Sequence, residues 1–371
     1  MTSQITKDVN NVYYDVIMPN TTTSKLVPAA FSEERTQDIV SRGSDYEMSI
    51  VRFAIPGSTI PVKIVETLIP QASTTAGWVD KNTLIYSVSL QYGANVYRVY
   101  LQWVAESSLI QPADTVDTTN IYSFQYYSLF SYQYFTDLVN IALSTAFTAL
   151  KTANPAAVQT ASPYLVYNPS NKLYSLVAQS TYVTDANQIT IFFNQPLFYL
   201  FNSFSNIYNL NATLGRDYQI NFKYNYDSVV PPINQIIIPA GCPGATTAAY
   251  VMTQEYPVLF NWNSMKSIVF TSGNIPLRKE YQATLNQSGV QNFLPIVTDM
   301  IPLTADGTEN RSTIVYNPTA EYRFSDLVSE EPLRKFQINL FWQDNKLRLY
   351  PIYINPNDFI SLKILFRRKH I

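Results

Sequence analysis

The residue types that most often carry chemistry are scarce in this sequence. The 371 residues include one histidine, His370, and one cysteine, Cys242. His370 stands next to the last residue, where we expect a mobile segment, which argues against Ser-His-Asp and Cys-His nucleophiles. One histidine is also too few for a histidine-based zinc site. The glycine-rich phosphate-binding patterns, the nucleophile elbow and the CxxC pattern do not occur either.

Catalysis by carboxylates alone is the enzymatic chemistry that the composition leaves open, because a glycosidase needs only two placed acids. Four candidates lie in or near strand-like segments: Glu47, Glu255, Glu280 and Glu321. No spacing pairs them, and such residues in a β-rich chain commonly form surface ion pairs. In TADGTEN, Asp306 and Glu309 lack the dense Asp/Asn series of a calcium loop and predict a solvated turn. We therefore predict a protein without catalytic, cofactor-binding or metal-binding residues.

Two clusters of side chains are candidates for binding a partner. The first is aromatic, lies in YSFQYYSLFSYQYF (122–135), and has as its candidate exposed or interface residues Tyr122, Tyr126, Tyr127, Tyr132 and Tyr134. Such rings stack on sugars or fill protein interfaces, and they also pack ordinary loops. The second cluster is a cationic tail of Arg367, Arg368 and Lys369 that follows a strand-like segment. It reads either as a solvated end or as a weak, salt-sensitive contact with phosphates or an acidic partner.

The composition points to association with other protein subunits. Charged residues make up 14% of the chain, against about 25% in typical soluble proteins. Aromatic residues are also 14%, and 28 of them are tyrosines. A weakly charged, tyrosine-rich surface is typical of protein–protein interfaces. The net charge of −2 argues against strong nucleic-acid binding.

The sequence also bears on compartment. A single cysteine excludes an internal disulfide and suits a reducing environment. The first residues, MTSQITKDVNN, lack the basic and apolar stretches of a secretion signal. The longest apolar run, 192–201, is interrupted by Asn194, Gln195 and Pro196 and is shorter than the roughly 20 residues that span a bilayer. We therefore predict no transmembrane segment.

The hydrophobic pattern alternates with the period of strands at both ends of the chain and has the period of a helix in the middle. We expect strands over 11–18 and 45–56, a hairpin over 84–105 with Gly93 in its turn, and a helix over 135–151. We also expect a short helix within 196–204. Near the end, 335–342, 347–354 and 359–366 predict a meander, with Pro351 at an edge or bulge.

This order of elements predicts an all-β fold: a single jelly-roll sandwich with an inserted domain that contains one helix. We place the N-terminal part of the jelly roll at 1–105, the insertion domain at 106–250 and the C-terminal part of the jelly roll at 251–371. The segment ISLKILFRRKHI (360–371) would close the sheet, with its cations at an edge that faces a partner.

The C-terminal third resembles a known family. YNPTAEYRFSDLVSEEPL (316–333), followed by INLFWQDNKLRLYPIYI and SLKILFRRK, is similar to the end of penton, or minor capsid, proteins of virophages and polinton-like double-stranded DNA viruses. SIVFTSGNIPLRKE (267–280), DYEMSIVRFAIPGSTIPV (45–62) and the middle segment 172–204 fit the same pattern. These segments touch both ends and the middle, so the resemblance spans most of the chain.

The resemblance implies a structural capsid protein of the virion, assembled inside the host cell. It implies a homopentamer at each icosahedral fivefold vertex, next to trimers of the major capsid protein, and no catalytic residues to carry over. Larger relatives carry an outward insertion, which would also suit contact with a host receptor or a fibre. Two alternatives stay open at this point: a major capsid protein, and a carbohydrate-binding attachment module of a virion.

Overall fold

The computed structural model describes most of the chain. The described residues are 10–67, 85–102, 125–184, 188–211, 215–220, 235–238, 249–259, 262, 265–278, 284–286, 291–292, 296–300, 313–316, 323–344 and 347–369. They form 25 strands, three α-helices and two short 3-10 turns.

The strands, in chain order, are β1 (Asn11–Pro19), β2 (Val27–Pro28), β3 (Ala30–Glu34), β4 (Tyr46–Pro56), β5 (Lys63–Thr67), β6 (Ser87–Tyr92), β7 (Asn95–Tyr100), β8 (Gln125–Leu129), β9 (Tyr164–Asn168), β10 (Leu173–Gln179), β11 (Ile189–Phe193), β12 (Asn206–Asn211), β13 (Gly215–Ile220), β14 (Gln235–Ile238), β15 (Ala249–Thr253), β16 (Met265–Thr271), β17 (Thr284–Asn286), β18 (Gln291–Asn292), β19 (Ile296–Met300), β20 (Thr313–Tyr316), β21 (Ser325–Asp326), β22 (Lys335–Asp344), β23 (Arg348–Pro351), β24 (Tyr353–Ile354) and β25 (Phe359–Arg368). The helices are α1 (Tyr132–Ala153), α2 (Thr181–Thr184) and α3 (Gln195–Leu200). The two 3-10 turns are Gly43–Asp45 and Gly57–Thr59.

The described residues divide into two compact units. One contains 10–61 and 265–369, and we call it the sandwich unit. The other contains the described residues between 62 and 262, and we call it the helical unit. Both units are built mainly of strands, which agrees with the all-β expectation.

Two sheets make up most of the sandwich unit. The first has the strand order β1-β25-β4-β20, with β21 also paired to β4. The second has the order β18-β17-β23-β22-β16-β19, with β3 also paired to β22. Aromatic side chains join the two sheets: the rings of Tyr14 and Phe336 lie 4.8 Å apart, and those of Phe53 and Phe270 lie 5.5 Å apart. The two sheets therefore pack face to face around one apolar layer.

The last strand does not lie where the predicted meander would place it. β22 pairs with β23 as expected. β23 ends at Pro351, which has no amide hydrogen to donate to a neighbouring strand. β25, however, inserts between β1 and β4 in the other sheet, where Leu362 stands opposite both Val16 and Phe53. The meander prediction is wrong for this strand, because alternation predicts a half-buried strand but does not name its partner.

The helical unit combines three sheets with the long helix. Its sheets are β12-β13-β11-β6-β7, β14-β15-β10-β9 and the pair β5-β8. The hairpin of β6 and β7 turns at Gly93, whose φ of +57° is the left-handed conformation that glycine adopts without strain. This confirms the predicted hairpin and its turn.

Helix α1 confirms the helical periodicity in the middle of the chain. Ser131 caps its start by accepting a hydrogen bond from the Tyr134 amide at 3.2 Å, and Asn154 ends it. The apolar stripe is buried in the core of the unit and consists of Phe135, Leu138, Val139, Ala142, Leu143, Ala146, Phe147 and Leu150. The predicted short helix is present as α3, capped by Asn194. Among the described residues, no helix has the length and apolarity that crossing a bilayer requires.

The boundaries of the two units differ from the domain boundaries that we expected. The expectation placed 1–105 in the jelly roll, whereas β6 and β7 pair with each other and with β11 inside the helical unit. The helical unit therefore begins near residue 62 and extends to about 262, beyond the expected 106–250. Local sequence contains no signal for this boundary, because a strand pattern is the same on either side of it.

Candidate functional site

The cationic end of β25 is folded into the first sheet of the sandwich unit. The Arg367 guanidinium pairs with Glu47 of β4, with Nη2 to Oε1 at 2.6 Å. The same guanidinium lies over the ring of Phe324, 3.7 Å from its centroid. A cation that is bound on two sides in this way is part of the fold. The Arg367 side chain is still 40% exposed in this pair, and its contact with a partner stays a prediction.

The two following cations are also bound within the chain. Lys369 Nζ donates to the carbonyl of Ser44 at 3.0 Å and pairs with Asp326 Oδ1 at 3.2 Å. Arg368 Nη2 lies 3.9 Å from Asp45 Oδ2, and its amide donates to Asn10 O. The sheet therefore holds Arg367, Arg368 and Lys369 against three carboxylates.

A fourth ion pair extends this cluster. Arg42 pairs with Glu330 and also lies 3.8 Å from Asp45. The hydrogen bond from Arg42 lowers the pKa of the Glu330 carboxyl below its usual value. Four bases thus face four acids, and the acids come from β4 with the turn before it and from the segment around β21. These ion pairs hold the segment around β21 against β4 and β25. We call this cluster of four bases and four acids the clamp on β25; it stabilises the sheet electrostatically and brings no catalytic groups together.

The predicted aromatic candidates fall into three groups. Tyr132 and Tyr134 are half-buried and pack against the core of the helical unit, and the Tyr132 ring is 5.5 Å from that of Trp262. Tyr126 and Tyr127 lie in β8, where their backbones pair with Glu66 and Val65. Tyr122 lies outside the described residues.

The candidate catalytic acids are not brought together in the parts of the chain that the structure describes. Glu47 is bound to Arg367, and Glu255 is exposed. The remaining acidic candidates, the one cysteine and the one histidine lie outside the described ranges: Glu280, Glu321, Asp306, Glu309, Cys242 and His370. Within the described residues, no three His, Cys, Asp or Glu side chains group as a metal site would require.

The outer faces of the sheets are surfaces that our sequence analysis did not single out. On the first sheet of the sandwich unit, large apolar residues stand exposed on three strands: Tyr13, Ile17, Val315 and Phe359. A row of Asp15, Lys363 and Arg52 crosses the same face, with Lys363 Nζ 3.3 Å from Asp15. The alternation of each strand contained this signal, but only the strand pairing assembles it into a face.

Comparison with known proteins agrees with the resemblance. The profile of the family described as Sputnik minor capsid protein V18/19 matches residues 12–368. The chain is 30% identical over 212 residues to "Structural protein V19" of the Sputnik virophage, which covers 55% of this chain and 94% of that protein. It is 33% identical over 149 residues to "Uncharacterized protein V18" of the same virophage, 38% of this chain and 84% of that protein.

Solved structures give the same result for the fold. A chain in the cryo-EM structure of the Sputnik virophage superposes with a TM-score of 0.75 and 29% identity, covering 98% of this chain and 99% of that chain. The mavirus penton protein superposes with a TM-score of 0.60, covering 97% of this chain and 99% of that one. At 14% identity, the second likeness shows the fold alone. The chain belongs to the Sputnik minor capsid protein V18/19 family.

Proposed function

We propose that this protein, a structural minor capsid component of a virophage-type virion, forms a homopentamer at the fivefold vertices and has no catalytic activity. The family match over residues 12–368 is the observation that carries the proposal. The match favours a minor capsid protein over the two alternatives, a major capsid protein and an attachment module. In the proposed arrangement, the neighbours are copies of this chain and the surrounding major capsid proteins.

The proposal assigns the two units different roles. The sandwich unit, with two sheets packed face to face, is interpreted as the single jelly roll of the shell. The helical unit, whose described residues fall in the sequence between the described segments of the sandwich unit, is interpreted as the outward insertion. The helical unit has a hydrophobic core of its own, as a domain inserted between two strands of a sandwich needs.

The candidate residues acquire specific roles under this proposal. Arg367, Arg368 and Lys369 would present the end of β25 to a neighbouring capsid protein with their charges already balanced by Asp45, Glu47 and Asp326. A balanced cluster loses less on burial than free cations do. Partner contacts by the aromatic cluster around residues 122–134 stay a prediction.

The experiment that tests the pentamer is the mass of the purified chain by light scattering after size exclusion, over a range of concentrations. A pentamer of the 42.2 kDa chain has a mass of about 211 kDa, five times the chain mass, and negative-stain images would show rings. A trimer would contradict the proposal and favour a major capsid or attachment protein.

A matched pair of variants distinguishes assembly from folding. Lysine in place of an exposed apolar residue on a flat sheet face, such as Val315→Lys, is expected to reduce assembly while the melting curve of the monomer stays unchanged. Full pentamers from a whole series of such variants, one on each exposed sheet face, would count against an interface of this kind.

A further inference from the structure

Strand β1 lies at the edge of the first sheet of the sandwich unit. It pairs with β25 along its nine residues without a shift of register, and no strand among the described residues pairs with its other side. Asn10 O accepts from the Arg368 amide and the Asn20 amide donates to Asp358 O, so the even-numbered positions bond towards β25. The peptide groups of the odd-numbered residues therefore point to the open edge. These residues are Asn11, Tyr13, Asp15 and Ile17.

The open edge of β1 lacks the features that usually protect an edge strand, such as a bulge or a covering side chain. In the helical unit, Asn140 of α1 covers the edge of β9 by accepting from the Leu165 amide at 2.7 Å and donating to the Leu165 carbonyl at 3.0 Å. Within the described part of the chain, no group bonds the outward amides of β1 in this way. Pro19, which has no amide, stands only at the end of the strand. The edge is therefore suited to accept a further strand.

The side chains beside this edge define what an added strand must contain. On the outer face, Tyr13 and Ile17 are 60% and 59% exposed, and Asp15 stands between them. The Asp15 side chain is 60% exposed although Lys363 Nζ lies 3.3 Å from its carboxylate. The carboxylate can therefore take a second cation from the side of the open edge. A fitting strand has the order apolar, cation, apolar at every second position.

Residues 5–9, which precede the described part of the chain and lead directly into β1, have this order. They read ITKDV, so that the apolar Ile5 and Val9 stand on either side of Lys7 at every second position. They contain no proline, so each of them has an amide to donate. The opposite edge of the same sheet is formed by β20 and β21, TIVY and SD, which have no cation to place beside Asp15.

We propose that residues 5–9 of one copy add to the open edge of β1 of the next copy as a parallel strand, with Lys7 beside Asp15. The apolar neighbours in this register are Ile5 with Tyr13 and Val9 with Ile17. Each copy then gives one strand and receives one. The inference rests on the proposed pentamer and assigns one of its contacts to β1.

The symmetry of a ring favours the parallel direction. A parallel register repeats head to tail from copy to copy, which is the kind of contact that closes a ring. An antiparallel register with Lys7 beside Asp15 would instead place Asn11 of both copies opposite each other and make a two-fold pair. The strand cannot come from the same copy, because a parallel return needs a connection of about a dozen residues or more, and residues 5–9 directly precede β1.

Disulfide formation between different variants tests the strand and its direction. Each variant carries one cysteine in a Cys242→Ser background: Ile5→Cys, Val9→Cys, Tyr13→Cys or Ile17→Cys. Neighbouring strands lie about 4.8 Å apart, within the Cα distances of about 4.4 to 6.8 Å that a disulfide spans. Variants are mixed as dilute monomers, concentrated and oxidised, and linked pairs of about 84 kDa, twice the chain mass, are measured on a non-reducing gel.

The parallel register predicts which mixtures link. Ile5→Cys with Tyr13→Cys and Val9→Cys with Ile17→Cys are expected to link at least several-fold more than the two crossed mixtures, Ile5→Cys with Ile17→Cys and Val9→Cys with Tyr13→Cys. Stronger linking in the crossed mixtures would show an antiparallel strand and overturn the proposal. Equally weak linking in all four, with an unoxidised mass near 211 kDa, would overturn the strand and leave the pentamer intact. A chain that stays monomeric at every concentration would overturn both.

A charge reversal tests the place of Lys7. Lys7→Glu puts a second carboxylate beside Asp15 and is expected to raise the concentration needed for assembly several-fold. Lys25→Glu makes the same change at an exposed site of the sandwich unit and is expected to assemble like the unchanged protein. Equal assembly of the two variants would overturn the contact between Lys7 and Asp15.

Discussion

On the outer face of the sheet β1-β25-β4-β20, in the sandwich unit, Asp15, Lys363 and Arg52 stand in one row, whereas no strand of the sheet β14-β15-β10-β9 contains a charge. The two units also hold their carboxylates differently. Glu33 and Glu330 are surface groups whose pKa values are lowered by hydrogen bonds, from Tyr14 and then Arg35 to Glu33, and from Arg42 to Glu330. Asp217 of the helical unit is buried, and burial raises its pKa despite the nearby Arg98.

This comparison shows that a low overall charge content can be distributed unevenly. The sandwich unit places ion pairs where strand ends and loops meet, and these pairs hold segments from distant parts of the sequence together, as Arg367 and Glu47 do. The helical unit relies on apolar and aromatic packing. The first pattern suits a unit whose parts must be joined, and the second suits a unit with one continuous core.

The largest expected effects come from the aromatic cores. Trp262 is buried with its ring 4.9 Å from Phe135, and its indole N–H donates to the Leu200 carbonyl at 2.7 Å. Trp262→Ala is expected to lower the free energy of unfolding of the helical unit by about 3–5 kcal/mol, because it opens a cavity and orphans that carbonyl. Phe336→Ala, which removes the contact with Tyr14, is expected to do the same in the sandwich unit.

Hydrogen exchange followed by mass spectrometry localises both losses. Protection should fall in peptides of 125–262 for Trp262→Ala and in peptides of 265–369 for Phe336→Ala. Equal loss across both units in both variants would show that the division into two units has no counterpart in stability.

A smaller effect is expected at the buried ion pair of the helical unit. Arg98 Nη2 of β7 lies 2.7 Å from Asp217 Oδ2 of β13, two strands of the same sheet with β6 and β11 between them. Arg98→Ala leaves the carboxylate buried without its guanidinium and is expected to cost about 2 kcal/mol at pH 7. The loss should shrink in acid, because the protonated carboxyl needs no counterion. Denaturant melts at pH 7 and pH 4 measure it, and an Asp217→Asn background, where the pH dependence should vanish, is the control.

The clamp on β25 is expected to contribute less. Arg367→Ala removes the pair with Glu47 and the contact with the Phe324 ring, at a cost of about 1–2 kcal/mol to the sandwich unit. Arg334→Ala, which removes an exposed pair with Asp38, is the matched control and should leave the melting midpoint almost unchanged. Equal effects of the two substitutions would mean that the clamp is an ordinary surface pair.

The smallest expected effect is a difference in acid sensitivity. Glu33 and Glu330 have lowered pKa values, so their stabilisation is present above the usual glutamate pKa and is lost as the pH falls. Asp217 has a raised pKa, so its contribution is greatest below the usual aspartate pKa and is lost as the pH rises through the folded value. Acidification from pH 7 to pH 4 should therefore weaken the sandwich unit relative to the helical unit.

Fluorine-labelled tryptophan in the otherwise unchanged protein reports the two units separately. The resonance of Trp342, which stacks on Tyr350, follows the sandwich unit, and that of Trp262 follows the helical unit. The midpoint followed by Trp342 should fall more on acidification, and Glu33→Gln with Glu330→Gln should reduce that difference. A larger fall at Trp262 would reverse the sign and contradict the prediction.

Elements with strong local patterns could be predicted from the sequence. The helical stripe of α1 and the Gly93 hairpin were evident, because each depends on residues close together in the chain. The partners of β25 could not be predicted, since Leu362 pairs with Val16 and Phe53 from the other end of the sequence. The limits of the helical unit were missed for the same reason: they depend on which distant strands share a core.

The candidate site shows a similar division. Composition indicated an assembling protein, and the spacing of Arg367, Arg368 and Lys369 identified a charged cluster. The carboxylates that bind this cluster, Asp45 and Asp326 among them, are separated from it by tens to hundreds of residues, so no local pattern connects them. The uncharged sheet was readable in principle as four strands without Asp, Glu, Lys or Arg, but only after the pairing had grouped them.

The central position of β25 in its sheet has a consequence for the order of events during synthesis. A ribosome releases residues 62–262 well before 359–368, so the helical unit has all its strands while the sheet of β1 and β4 still lacks its middle member. During that interval β1 and β4 have no common neighbour. We therefore expect translation that stops before β25 to leave the sandwich unit incomplete even when every strand of the helical unit has been made.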